Sequence, residues 1–538
     1  MAYNTEKNMM DGKHEEFASS EEHIEVAGRR NSTADEVTEL SAIEATAASK
    51  AAWLISVTVS LGGFLFGYDT GYISSVLVTI GTSLGRTLST GDQEMVTSLT
   101  SGKSQSWILL GKWHPANMAK MPIWAACAVF VIGTVLQTAA YSIEQFAVGR
   151  FIVGLGVGSA AMIVPLYIGE LAPAKYRGRM IAFNNMSVTF GQLVASAIGA
   201  GLAHVKGEGW RGTVAIGAFP AIALAIMLLW CPESPRQLVA HGRIDSAEEV
   251  LLRIYPTSTP AQRHAKVRSI ELSLQEATSS LVQEGLWVSF KRIFNTPSTG
   301  RAVFVACITM AISQLGGFNT LMYYSATLFA IVGFTNATAV AITVSGTNFV
   351  FSLVNLVLVD KFGRRRLLCV TVLGMSICMM IAAVAFHYIP IDTHTLTVES
   401  GSVGWPGILV LVTIILYVAF YSSGVATIAW IGTELIPLEV RALGTMLNTV
   451  TCWSTNIIIS STFLSMMKGM TPSGAFGFYC GICFFGWLFV IMCYPDVKGM
   501  PLETVREVFK HGFGLRYSRQ WQKENKHAAK VVHQSFGH

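Results

Sequence analysis

One carboxylate stands in the middle of an apolar run. Asp69 lies in Gly62-Gly63-Phe64-Leu65-Phe66-Gly67-Tyr68-Asp69-Thr70-Gly71-Tyr72-Ile73, inside a segment from about Ala51 to about Ile80 that is long enough for a tilted bilayer span. A carboxylate is expensive in lipid, so Asp69 is expected to face a protein interior or a water-filled cavity. There it serves either an ion or substrate pathway or a structural hydrogen bond inside a bundle. The glycines at 62, 63, 67 and 71 let neighbouring helices approach closely. Two further polar groups interrupt apolar spans. Ser313, Gln314, Asn319, Tyr323 and Tyr324 lie within 301–332, and the spacing of Gln314, Phe318 and Asn319 predicts that they lie close to one helix face. Asn184, Asn185 and Gln192 lie within 181–204, with Asn185 and Gln192 seven apart and so on one face. Amides and phenols donate and accept hydrogen bonds without charge. They suit an uncharged ligand, or they bridge helices.

The elements that must position these groups are membrane spans. Of 538 residues, 51% are hydrophobic and only 13% charged, against about a quarter charged in ordinary soluble proteins. Apolar spans run approximately over 52–80, 123–141, 146–168, 181–204, 212–231, 301–332, 336–359, 367–388, 405–433, 442–467 and 474–494, eleven in all. Each is near the roughly twenty residues a spanning helix needs. Residues 1–50 are polar and acidic, without a short hydrophobic region or cleavage site. They predict a disordered cytoplasmic tail, with the first span acting as the insertion signal. Residues 51–231 form an N-terminal helix bundle and 301–494 a C-terminal one. Between them, 232–300 reads as a cytoplasmic linker with amphipathic helices around Ala247–Ile254 and Ile270–Val282, and 495–538 as a basic cytoplasmic tail.

The two halves echo each other. Glu170-Leu171-Ala172-Pro173 is followed by Arg177, and Glu434-Leu435-Ile436-Pro437 by Arg441; each closes a span. Internal repeats of bundles are a common plan for secondary transporters, with the substrate site at the repeat interface. Lys175, Arg177 and Arg179, then Lys361, Arg364, Arg365 and Arg366, then Arg441, Lys498, Arg506 and Lys510 mark the cytoplasmic side by the positive-inside rule. The net charge is +5, but the basic residues sit in short loops, which is not a nucleic-acid footprint. There is no H-E-x-x-H, Walker A or zinc spacing, and no cofactor is expected. Gly154-x-Gly156-x-Gly158 lies inside a span and reads as helix packing, and Cys480-x-x-Cys483 as two small helix residues.

Several motifs carry a resemblance. Asp360-Lys361-Phe362-Gly363-Arg364-Arg365 resembles the D-x-x-G-R-R loop of sugar porters in the major facilitator superfamily, and Pro232-Glu233-Ser234-Pro235-Arg236 their P-E-S-P-R motif. Gly149-Arg150 opening a span, and Pro165 with Glu170 and Arg177-Gly178-Arg179, also match. Within that family the chain looks most like the fungal myo-inositol transporters. Phe66 to Ser75, Ile459-Ser460-Ser461-Thr462-Phe463-Leu464 and Met470-Thr471-Pro472 carry that likeness. The resemblance implies an all-α integral membrane protein with the major facilitator fold, two six-helix bundles, and a multi-pass location in the plasma membrane. It implies proton-coupled uptake of myo-inositol or a related polyol by alternating access. A hexose or pentose symporter and a non-transporting sugar sensor are the alternatives. The partners are the sugar or polyol, protons and the lipid bilayer, with no nucleic acid.

The resemblance also implies roles. Arg150 is the partner of Asp69 and the pair couples to protons. Gln314 and Asn319 on the seventh helix, and Asn185 and Gln192 on the fifth, line the pocket with Tyr323. Asn448, Trp453 and Asn456 lie on the eleventh helix of the family plan. Trp430 stands four residues before Glu434, where many members have Trp five before it. Glu434, Arg441 and Arg364 or Arg365 form a cytoplasmic charge cluster, with Glu170, Arg177 and Asp360 in the same gating set.

One stretch departs from the plan. A crossing is required between about 81 and 122, yet the best apolar run there is Trp107 to Gly111, bracketed by Lys103, Lys112 and Pro115. The arginine that would pair with Glu170 is missing. The second helix reads as degenerate, as if from an altered exon or a retained non-coding segment. The chain is expected to insert poorly, or to frustrate its own topology, and to transport weakly.

Overall fold

Backbone groups in lipid must be satisfied within the segment, so apolar runs of this length fold as helices. The computed structural model describes residues 38–524 apart from 45, 47–48, 110–119, 174, 206, 284–285, 393–395, 399–402, 438–439, 498–499 and 501–506. The expectations for 1–37, for Lys112 and Pro115, for Lys498 and Arg506, and for the end of the C-terminal tail lie outside the described residues, as do the side chains of 101–109 and of Asp360.

The first half contains α1 (Lys50–Thr79), α2 (Thr90–Leu109), α3 (Lys120–Thr138), α4 (Ile143–Leu171), α5 (Arg177–Leu202) and α6 (Gly209–Met227). The second half contains α7 (Pro297–Val332), α8 (Ala337–Phe362), α9 (Arg364–His387), α10 (Trp405–Leu435), α11 (Arg441–Ser460) and α12 (Thr471–Cys493). Among the described residues, nine helices are long and apolar enough to cross a membrane; α2, α5 and α11 are more polar and complete the two bundles. Shorter helices at Pro235–Ala240, Ile244–Ile254, Pro260–Gln283 and Leu286–Asn295 join the halves. Ile244–Ile254 turns Ala247, Val250, Leu251 and Ile254 into a core shared with Leu171 of α4.

Glycines set the close approaches. A Cβ at Gly67 of α1 would collide with the Val188 carbonyl of α5, and one at Gly154 of α4 would lie 2.8 Å from the Thr100 backbone of α2. The bundles meet where α1 packs on the second half of α7, α2 on α11, and α5 on α8.

Two expectations need correction. The region 81–122 does build a helix, α2, which runs from Thr90 to Leu109. Its first turns dock because Val96, Thr97 and Thr100 are buried between neighbours and Gly154 admits the backbone. It remains too polar to rank with the nine apolar spans. The span read as continuous over 301–332 is broken. Pro297–Leu315 ends at Gly316, Gly317 takes a left-handed conformation (φ 98°), and a new helix runs Phe318–Val332. Only glycine adopts that backbone freely.

Candidate functional site

The most buried charges of the first bundle form one cluster. Arg150 opens onto the core from α4 and is fully buried, and Asp69 on α1 is nearly so. Arg150 Nη1 lies 2.6 Å from Asp69 Oδ1 and donates also to the Tyr72 hydroxyl at 2.8 Å. Nη2 donates to Thr100 Oγ1 at 3.0 Å and Nε to the Val96 carbonyl at 3.4 Å, both on α2. Tyr72 in turn donates to Gln137 Oε1 on α3 at 2.9 Å. The sequence singled out Asp69, and the resemblance named Arg150. Tyr72, Thr100 and Gln137 were missed, although Tyr72 sits one helical turn after Asp69 and so had to share its face.

Between the bundles lies a cavity of about 460 Å³. Its lining includes Asn185, Gln192, Gln314, Asn319, Tyr323 and Trp453, together with Asn184, Asn456 and Trp430. The glycine break in α7 explains one pairing. Gln314 ends the first half-helix and Asn319 begins the second, and Asn319 Nδ2 donates to Gln314 Oε1. The two amides therefore meet across a bend, not along a single helix face. A π-helical turn at Tyr421–Val425 in α10 places Tyr421 flat on Phe318, with ring centroids 3.9 Å apart. The next residue, Ser422, donates to Asn348 Oδ1 at 2.7 Å, and Asn348 Nδ2 donates to Gln192 Oε1 at 2.7 Å, joining the two bundles at mid-height. Phe66 meets Trp453 across the same gap, 5.9 Å between rings.

Asn348 was also missed. Asn348 and Asn355 are seven apart on α8, the same spacing that marked Asn185 and Gln192 on α5. Asn448 differs from its expected place: it is buried outside the cavity lining, and among the described residues neither of its amide atoms has a hydrogen-bond partner.

The cavity is open at one end. Pro165, Asn184, Leu356, Trp430 and Thr445 lie in the halves of their helices nearest the basic loops, and Trp430 is 45% exposed. The opposite end is shut by contacts between bundles. Ser74 and Ser325 hydroxyls lie 2.9 Å apart, and the Ala326 N–H donates to Ser74. Glu94 of α2 accepts from both the N–H and the hydroxyl of Ser465, at 2.7 and 2.6 Å.

Among the described residues, one pair of the expected charge cluster is formed. Arg364 pairs with Glu434 at 2.9 Å. Arg365 donates to the Ile491 carbonyl, Arg441 to the Ile436 carbonyl, and Glu170 accepts from Ser234; Arg177 is exposed.

Residues 55–509 match the family described as sugar (and other) transporter. Myo-inositol transporter 1 of Candida albicans is 39% identical over 487 residues, which cover 90% of this chain and 88% of that protein. Myo-inositol transporter 1 of Saccharomyces cerevisiae is 39% identical over 485 residues, covering 89% and 83%. Among solved structures, the inward open conformation of the xylose transporter XylE from E. coli superposes with a TM-score of 0.69 at 25% identity, covering 85% of this chain and 99% of that one. The partially occluded inward open conformation of the same protein gives 0.68 at 25% identity, over 84% and 100%.

Proposed function

Because this chain belongs to the sugar (and other) transporter family, we propose that it imports myo-inositol or a closely related polyol together with a proton, by alternating access. It is a multi-pass membrane protein of the major facilitator fold and acts as a carrier, not an enzyme. The observation that carries the fuller reading is the buried Asp69–Arg150 pair beside an amide-lined cavity between two bundles.

A polyol offers many hydroxyls and no charge. It calls for neutral donors and acceptors with aromatic faces in an otherwise apolar lining. Gln192, Gln314, Asn319 and Asn348 supply the first, and Phe318, Tyr421 and Trp453 the second. With the basic loops and both tails on the cytoplasmic side, the open end faces the cytoplasm. Asp69 is then ionised and held by Arg150. When the outer end opens, water reaches the pair, a proton from outside neutralises Asp69, and its hold on Arg150 loosens. Substrate entry and closure of the basic end follow, with Arg364–Glu434 and its neighbours as breakable contacts there.

The location proposed is the plasma membrane. A hexose or pentose would use a similar donor set. The test is uptake of radiolabelled myo-inositol at acid external pH against a panel of unlabelled competitors. Competition by inositol isomers above glucose and xylose supports the reading, and the reverse order replaces inositol with a sugar.

A further inference from the structure

We propose that the cytoplasmic end of α9 and a C-terminal helix lying against it form a binding site for the headgroup phosphate of an anionic phospholipid of the cytoplasmic leaflet. The site does not depend on which substrate is carried.

After α12 the chain turns back onto the second bundle. Val508 and Phe509 are buried in its core, and Arg301 of α7 donates to the Phe509 carbonyl at 3.0 Å. Gly514 takes a left-handed conformation (φ 62°), and a helix, α13, follows over 515–524. Ser518 is fully buried, and Phe513 and Tyr517 pack on the same core. Arg516, Arg519 and Lys523, spaced i, i+3 and i+7, share the exposed face.

That face brings cation to cation. Arg519 lies close enough to Arg365 and Cys369, on the first two turns of α9, to act on both electrostatically. Arg365 is only 8% exposed, and its Nη2 donates to the Ile491 carbonyl of α12 at 2.8 Å. Arg366 beside it is exposed. α9 begins without a side-chain cap, so its first N–H groups add to the positive potential.

The nearby carboxylates do not balance these charges. Asp496 attracts Arg365 less than Arg519 repels it. Glu434 is taken by Arg364, Glu507 by Lys510 and Glu524 by Gln520. Among the described residues, Arg366, Arg516, Arg519 and Lys523 form no ion pair. Guanidinium groups so placed suit a phosphate, which accepts two parallel N–H donors from each.

Position selects the kind of anion. Arg365 stands at the cytoplasmic end of a span, at the level of the headgroups. The adjoining apolar side chains face outward: Val370 of α9 is 63% exposed, and Met492, next to Ile491, 66%. A phosphate between Arg365 and Arg519 leaves its acyl chains along Val370 and Met492. A soluble phosphate meets the same cations and gains nothing from that apolar wall. The bound lipid offsets the repulsion and holds α13 against α9, beside the Arg364–Glu434 pair.

The test titrates the purified full chain, in a neutral detergent, with phosphatidylserine and separately with phosphatidylcholine, and counts bound lipid by native mass spectrometry. We expect wild type to bind phosphatidylserine more tightly. Arg519→Gln should weaken phosphatidylserine about fivefold, the share of one basic side chain near an anionic surface, and leave phosphatidylcholine unchanged. Arg519→Lys should keep part of the preference. Arg243→Gln removes the same charge from an exposed position on the linker and should change neither lipid. Equal affinity of wild type for the two lipids, superposed titrations of wild type and Arg519→Gln, or an equal loss in Arg243→Gln overturns the proposal. Displacement of phosphatidylserine by inorganic phosphate at equal concentration assigns the site to a soluble anion and also overturns it. If Arg519→Gln is not recovered folded, Arg516→Gln, one turn away on the same exposed face, carries the same expectation.

Discussion

Asp69→Asn removes the charge of the cluster and keeps its shape. In the wild type, Asp69 Oδ1 and Arg150 Nη1 are 2.6 Å apart, with side chains 4% and 0% exposed. Breaking a buried ion pair by removing one partner costs about 3–5 kcal/mol, because the other charge is left uncompensated. Asparagine still offers one carbonyl oxygen, and Tyr72, Thr100 and the Val96 carbonyl remain on Arg150, so the lower end applies. About 3 kcal/mol is roughly a hundredfold in the folded-to-unfolded ratio. It should appear as a lower melting temperature of the purified protein, partly restored in Asp69→Asn combined with Arg150→Leu, a double-mutant cycle that isolates the pair. In transport the variant has no carboxylate at the site to take up a proton. Uphill accumulation should vanish while downhill exchange persists, since uncoupling need not close the pathway. The assay is labelled myo-inositol accumulation with and without an uncoupler, beside exchange in preloaded vesicles. Accumulation by Asp69→Asn that matches wild type and collapses normally with the uncoupler refutes the reasoning.

Gln314→Ala should weaken myo-inositol binding by about 1–3 kcal/mol, roughly 5- to 150-fold, because a substrate hydroxyl loses its partner; an unchanged half-saturation constant at normal surface level counts against the assignment. Glu94→Ala removes two hydrogen bonds to a carboxylate that bridge the bundles, each worth about 1.5–3 kcal/mol, and should shift the population toward outward-facing forms. Spin-label distances across the outer ends of α1 and α7 measure this, and an unaltered distribution sinks it.

Much of the architecture was legible because its cause is local. Apolar length specifies spans, and the repeat of Glu170-Leu171-Ala172-Pro173 in Glu434-Leu435-Ile436-Pro437 exposed the two halves. Asp69 stood out because a carboxylate in lipid needs a reason. What escaped depends on contacts between distant segments. Asn348 looked like one amide in an apolar helix until Gln192 and Ser422 closed on it. The pairing of Gln314 with Asn319 rests on the left-handed Gly317, which periodicity cannot see. The docking of α2 rests on buried threonines and a glycine of α4, where hydropathy alone finds no span. Of the expected charge cluster, the Arg364–Glu434 pair is formed among the described residues, and sequence spacing could not show which partners its other charges take.

The central claim is that a proton gradient drives polyol uptake through the Asp69–Arg150 pair. The most direct measurement uses the full chain in proteoliposomes, with labelled myo-inositol outside and an inward proton gradient imposed at zero time. The account predicts transient accumulation above the equilibrium level, abolished by an uncoupler and absent in Asp69→Asn. Uptake that only equilibrates, at the same rate with and without the gradient, would contradict it.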